Sequence, residues 1–153
     1  THCTSSAASD VYKRQILARA GLRRMEMDNL ITQNLSVESF VPSPGQGVLC
    51  IECLSQHREI MNKIKKIVHP NTEICVSAER IFAAQMDGDC MSPIGAHATI
   101  QKDLISITGF VATIDGRKFI RNKIEGNKNN YQDLSTKLSN LFIKMGSKGM
   151  LKC

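Results

Sequence analysis

Cys90 sits in the stretch MDGDCMSPIG at 86–95, just past a helical apolar pattern and with a glycine on either side. A thiol in such a loop is reachable by a ligand, and its thiolate is a soft nucleophile where the setting is accessible and electropositive. The competing reading is a small apolar cysteine in a turn. Cys50 and Cys53 form a C-x-x-C, which alone suggests a redox pair or half of a zinc site. In a strand, however, positions three apart point to opposite faces. No second C-x-x-C and no His pair at ligand spacing completes a site. Both are read as incidental buried thiols. The histidines His2, His57, His69 and His97 are scattered and are read as surface or loop residues. Arg19, Arg23 and Arg24 fall near one helix end, and Lys63, Lys65 and Lys66 on another helix, where such runs usually form a solvated face.

The elements that must position these groups follow from periodicity. Residues 16–30 predict a short helix interrupted by Gly21, then a turn. Two prolines and two glycines at 41–47 are turn chemistry, and 48–53 is a short apolar run that predicts a buried strand. Residues 56–68 carry Ile60, Ile64 and Ile67 on one stripe of an amphipathic helix that His69 and Pro70 end. Asn71 or Thr72 can cap the next helix, whose apolar face runs Ile74, Ala78, Ile81 and Phe82 and which stops at Asp87 and Gly88. A loop at 89–95 follows. The period then changes to two, through 96–100 and 104–114, with a hairpin signal at Asp115 and Gly116. A third strand at 118–124 is expected to direct Phe119 and Ile124 inward. Residues 131–145 predict a helix with Leu134, Leu138, Leu141, Phe142 and Met145 on one face. Helix, helix, three antiparallel strands and helix make an α+β domain from residue 57 onward, with helices over one face of a small sheet.

The chain has 153 residues, 42% hydrophobic and 22% charged, which suits a globular domain of ordinary size. There is no Trp and aromatics are 5%, so the core is aliphatic. No apolar run approaches the ~20 residues of a membrane-spanning helix. With 20 Lys+Arg against 14 Asp+Glu, the net charge of +6 fits an anionic partner of unspecified kind. Six cysteines without a secretory signal are read as reduced thiols of a cytoplasmic protein. Residues 1–15, THCTSSAASDVYKRQ, lack any apolar period and resemble a translated sequencing adapter; they are taken as a non-native leader.

Three stretches carry a family resemblance. ILARAGLRRM at 16–25 resembles the "ILAxAGLxRM" helix of the porphobilinogen deaminase (hydroxymethylbilane synthase) family. VPSPGQGVLCIE at 41–52 is similar to its "PAxGQGxLxIE" crossover, and AERIF at 78–82 followed by GDCMSPIGA at 88–96 to its "AERxF…GGCxxPIGA" loop. The order is right and the likeness covers 16 to about 145.

The resemblance implies a transferase of tetrapyrrole and heme biosynthesis that joins four porphobilinogen units head to tail, with loss of ammonia at each step. It implies a covalent dipyrromethane cofactor, thioether-linked to Cys90. Loss of ammonia from porphobilinogen leaves an electrophilic methylene that a soft thiolate captures. Each pyrrole brings two carboxylates, which a guanidinium binds two-point without titrating. Arg24 matches a family arginine that contacts these acid groups, in cofactor and substrate alike; Arg23 matches a variable position. Gly45, Gln46 and Gly47 match the crossover between the two larger domains, and Gly88, Pro93 and Gly95 match the cofactor loop. The implied organisation is a remnant of an α/β domain of periplasmic-binding-protein type at 16–41, a crossover strand of the first α/β domain at 42–56, and the cofactor-bearing α+β domain at 57–153. A monomeric, cytoplasmic enzyme without nucleic acid, membrane or metal partners is implied. Asp89 stands where the family has a second glycine, and an anion beside a thiol disfavours its ionisation. Leu54 stands where an arginine is frequent. The family's catalytic aspartate lies in an N-terminal half that this sequence does not contain, so no residue here inherits that role and the chain alone is expected to be inert. The alternative is a non-catalytic basic module that binds RNA or another anion.

Overall fold

The structure, a computed structural model, describes residues 15–87 and 92–151. The chain divides into two compact units, one up to Ser36 and one from Val37 onward. All of the expected leader except Gln15 lies outside the described residues.

The first unit contains the six-residue helix α1, Arg19–Arg24, and one 3-10 turn at Asp28–Leu30. Arg23 and Arg24 occupy the last turn of α1, where positive charge complements the carbonyl end of the helix.

In the second unit, α2 is Arg58–Lys65 and α3 is Pro70–Gln85. The start of α3 differs from expectation. Pro70 occupies the first turn, where a missing N–H costs nothing, and His69 is the cap: its Nδ1 accepts the Thr72 N–H at 3.3 Å. Strands β1 (Ile94–Gln101), β2 (Leu104–Ala112) and β3 (Phe119–Asn127) form one antiparallel sheet in the order β1-β2-β3. Helix α4 is Tyr131–Lys144, and Gly146, at φ +87°, turns the chain into the short helix α5, Ser147–Met150. The three-stranded α+β architecture is thus as the sequence predicts, and α5 is an addition that carries no apolar period.

Helices α3 and α4 cover one sheet face. Ala78, Phe82 and Met86 of α3 and Leu138 and Phe142 of α4 meet Ala96, Ala98, Ile105, Ile107, Val111 and Ile120 in one buried cluster. The outer members of the expected α4 face, Leu141 and Met145, stay exposed because the stripe that meets the sheet centres on Leu138 and Phe142. Phe82 and Phe142 pack edge to face at 4.9 Å between centroids. They sit over Gly109, where an added Cβ would lie 2.6 Å from Phe82 Cζ and 3.2 Å from Phe142 Cζ. Both rings are fully buried, so making room for the added atom means displacing packed neighbours. Gly109→Ala is therefore expected to destabilise the unit by about 2 kcal/mol, as overpacking does, read as a lower thermal midpoint.

Two expectations fail here. Phe119 does not point inward: it is 66% exposed, and Ile120, its neighbour on the opposite face, enters the core instead. Phe119 stacks on Phe110 at 5.9 Å on the uncovered face of the sheet. Residues 48–53 form no strand, and Leu49 is 85% exposed. A strand exists only by pairing, and no sheet edge pairs with this run among the described residues. Cys50 is accordingly exposed and Cys53 half-buried rather than both being buried thiols.

Candidate functional site

The segment that carries Cys90, 88–91, lies outside the described residues, as does Gly88. Its two stems are described, and each has its own anchor. On the α3 side, Met86 is buried and Asp87 takes a left-handed backbone at φ +54°. The Lys148 ammonium donates to Asp87 Oδ2 at 2.6 Å, and the Ser147 hydroxyl donates to Met86 Sδ at 3.6 Å. The hydrogen bond from Lys148, then its charge, lowers the Asp87 pKa. Helix α5, unannounced by sequence, thus pins the end of α3.

On the β1 side, Ala112 N–H donates to the Pro93 carbonyl at 3.0 Å, so the loop leaves beside the far end of β2. Ala96 N–H donates to the Pro42 carbonyl at 2.9 Å, which lays the 41–47 turn along the free edge of β1. That approach explains Gly95. A Cβ there would lie 2.8 Å from the Val41 carbonyl oxygen and 3.2 Å from that of Pro42. Gly45 and Gly47 serve another need: at φ +74° and +82° they hold left-handed positions with ample space around them. Gln46 N–H donates to Ser43 O at 3.1 Å, closing the turn 43–46 that contains Gly45, and Val48 N–H donates to Gly45 O at 3.3 Å, closing the next one around Gly47.

One carboxylate joins these parts. Glu79, 6% exposed, accepts the Gly45 N–H on Oε2 at 2.7 Å and the Ala98 N–H on Oε1 at 2.8 Å. His97 Nδ1 lies 3.7 Å from Oε1. A buried carboxylate is tolerable when donors are fixed around it. The glycine turn, the middle of α3 and β1 are therefore held at a single point. Glu79 stands inside the AERIF stretch at 78–82, where the motif alone gives it no role. Its signal was positional: it lies one turn from Cys75 and from Phe82 on the buried side of α3, where an acid has to be paired.

Cys75 is a poor candidate for reactive sulfur. Burial raises its thiol pKa, and the nearby Glu79 charge raises it further. Cys50, Cys53 and Cys75 are free, and no group of three or more His, Cys, Asp or Glu able to hold a metal occurs among the described residues. None of the described helices is long and apolar enough to cross a membrane.

Arg24 belongs to the first unit and is exposed. Its neighbour Arg23 is engaged with Asp28, Nε to Oδ1 at 3.7 Å, and no ion pair holds Arg24 among the described residues. Of the sequence-predicted residues, Gly45, Gln46, Gly47, Pro93 and Gly95 are brought together in the second unit.

Comparisons with known proteins bear on both units. Residues 73–144 match the family model described as porphobilinogen deaminase, C-terminal domain. Residues 5–62 match the one described as porphobilinogen deaminase, dipyromethane cofactor binding domain. The porphobilinogen deaminase of Coxiella burnetii (strain Dugway 5J108-111) is 35% identical over 141 residues, covering 92% of this chain and 46% of its own length. That of Pelotomaculum thermopropionicum is 34% identical over 137 residues, covering 90% of this chain and 44% of its own. That of Trichlorobacter lovleyi is 32% identical over the same span. The chain spans less than half the length of these curated relatives.

Proposed function

Because the chain belongs to the porphobilinogen deaminase family, we propose that it is the C-terminal part of a transferase that condenses porphobilinogen into hydroxymethylbilane, releasing ammonia at each addition. The observation that carries this reading is the double anchorage around 88–91. Helix α5 fixes one stem, and the turn at 41–47, clamped through Glu79, fixes the other. A loop that must present one sulfur atom repeatedly to a site elsewhere needs stems that do not drift.

In this assignment Cys90 Sγ would hold the dipyrromethane as a thioether, its thiolate supplying the nucleophile for a methylene that has lost ammonia. The dipyrromethane, when bound, supplies the free pyrrole position at which the chain grows. The residues present suit such a group. Arg24 offers an exposed guanidinium that no ion pair holds among the described residues, the donor set that a pyrrole's acid side chains require. The match of 5–62 to the cofactor binding domain model and the position of Cys90 within the C-terminal match support a division of work in which one part would grip the carboxylates and the other would hold the sulfur.

We place 16–41 at the end of the second α/β domain, 42–56 as the strand returning to the first, and 57–153 as the cofactor-bearing domain. The outward-facing Leu49, Ile51 and Leu54 support the middle assignment, since such residues fit a strand awaiting a sheet. The complete protein is placed in the cytoplasm as a monomer.

The test is expression of the full reading frame at the locus that encodes 16–153, followed by incubation with porphobilinogen. Stoichiometric ammonia release with a covalently bound, Ehrlich-positive group is expected; neither in a folded full-length protein would overturn the assignment. The 153-residue chain alone is expected to show no turnover. Arg24→Ala in the complete enzyme is expected to slow elongation by about tenfold or more, the worth of a charged hydrogen-bonded contact, while leaving primer attachment intact. Unchanged elongation kinetics would remove Arg24 from the site.

A further inference from the structure

The sheet face turned away from α3 and α4 bears groups that the proposed chemistry does not use. His97 and Thr99 of β1, Ser106 and Thr108 of β2, and Arg121 and Lys123 of β3 line a cavity of about 350 Å3. Val37 and Glu38 line it as well. That volume lies within the usual range of about 300–1,000 Å3 for small-molecule sites.

The strand register gives the cavity floor its order. His97, Thr108 and Lys123 face one another in a single row across the three strands. Thr99, Ser106 and Glu125 form the next row on one side, and Arg121 opposes Phe110 on the other. Arg121 and Lys123 are two residues apart on one strand, so they share a face with Cα atoms about 6.5–7 Å apart. That separation suits two anionic groups joined by a short spacer better than one anion shared by both cations.

The cations are available. No ion pair links Arg121 to a carboxylate among the described residues. Lys123 meets Glu125 at 2.7 Å, but both are about half exposed, and such a surface pair gives little stability and yields readily to a competing anion. The hydroxyls of Thr99 and Thr108 add neutral donors, while that of Ser106 is hydrogen-bonded to the Glu125 carboxylate. A guanidinium takes a carboxylate two-point, and an ammonium takes one as a point charge.

We propose that this face binds a small organic dicarboxylate, with one carboxylate on Arg121, the other on Lys123, and the hydroxyl rows beneath. The proposal does not rest on the transferase assignment, because Arg121 and Lys123 belong to neither the cysteine loop nor its stems, although His97 of the lining lies 3.7 Å from Glu79; either can fail without the other.

The test titrates the isotope-labelled 153-residue chain with glutarate, following backbone amide shifts, with acetate and inorganic phosphate as parallel arms. Saturable shifts at 97–99, 106–108 and 121–123 are expected with glutarate, and binding at least about tenfold weaker with acetate, which loses one of the two charged contacts. Arg121→Gln combined with Lys123→Gln should abolish saturation while leaving the thermal midpoint in place, since both side chains are on the surface. Glu38→Gln should tighten binding a few-fold by removing a like charge from the wall. A linear, non-saturating response to glutarate would overturn the proposal. So would unchanged affinity in the double variant, or phosphate and acetate binding as tightly as glutarate.

Discussion

A full-length protein carrying Cys90→Ser is expected to hold no covalent dipyrromethane and to form no hydroxymethylbilane. The exchange is nearly isosteric, so its effect is chemical. A thiol ionises near neutral pH when its surroundings help, and its sulfur is soft; a serine hydroxyl stays protonated and has no adjacent base assigned to it here. Intact-mass measurement of the purified variant reads the missing adduct directly, and Ehrlich's reagent should give no colour. The variant should otherwise fold as the parent does, because the stems of 88–91 are held by groups outside the segment. An active Cys90→Ser protein with a bound primer would move the attachment point elsewhere. Among the described cysteines Cys75 would be a poor substitute, with its thiol pushed toward the protonated form by burial and by Glu79.

The second large effect is expected at Glu79. Replacing it by alanine leaves the Gly45 and Ala98 N–H groups without their acceptor in a site that water reaches poorly. Two charge-assisted hydrogen bonds are lost together, which costs about 3 kcal/mol, or on the order of 10 °C in thermal midpoint for a unit of this size. Glu79→Gln keeps one acceptor oxygen but turns an NH2 group toward the other donor, so at least half of the loss is expected to remain. The specific readout is amide hydrogen exchange. Gly45 and Ala98 should lose protection in both variants well ahead of Ile107, which lies in the central strand away from the clamp. Equal exchange at Gly45 in Glu79→Ala and the parent would show that the 41–47 turn is held by its other contacts alone.

What the sequence made legible was set by how directly each pattern maps onto a single physical cause. Alternation at 96–100 and 104–112 means one buried face, and the three-strand sheet followed from it. The hairpin at Asp115 and Gly116 was legible because Gly116 takes φ +69°, a conformation that residue type advertises. The turn from β1 to β2 was silent: Lys102 takes φ +57° there, with no glycine or asparagine to announce it. Phe119 was misjudged because hydrophobicity was read without parity; on β3 the even positions face the core. The run at 48–53 has strand character, yet strand character is only half of a pairing. Glu79 was overlooked because charge ordinarily predicts exposure, and only the helical stripe around it says otherwise. Of the candidate site, the glycines and Cys90 came from a recognisable motif, whereas the anchors supplied by Lys148 and Ser147 come from the far end of the chain, joined to the α3 end by a fold that no local pattern encodes.

The outward-facing apolar run at 48–54 has a further consequence for the chain in a cell. Leu49, Ile51 and Leu54, exposed and outside any strand, have the character that holdase chaperones and quality-control proteases select for. A 153-residue product released on its own would display that run continuously, however well its sheet were folded. Its abundance would then follow the rate of capture and degradation rather than its unfolding free energy, and the run would act as a degradation signal that assembly into a larger protein conceals.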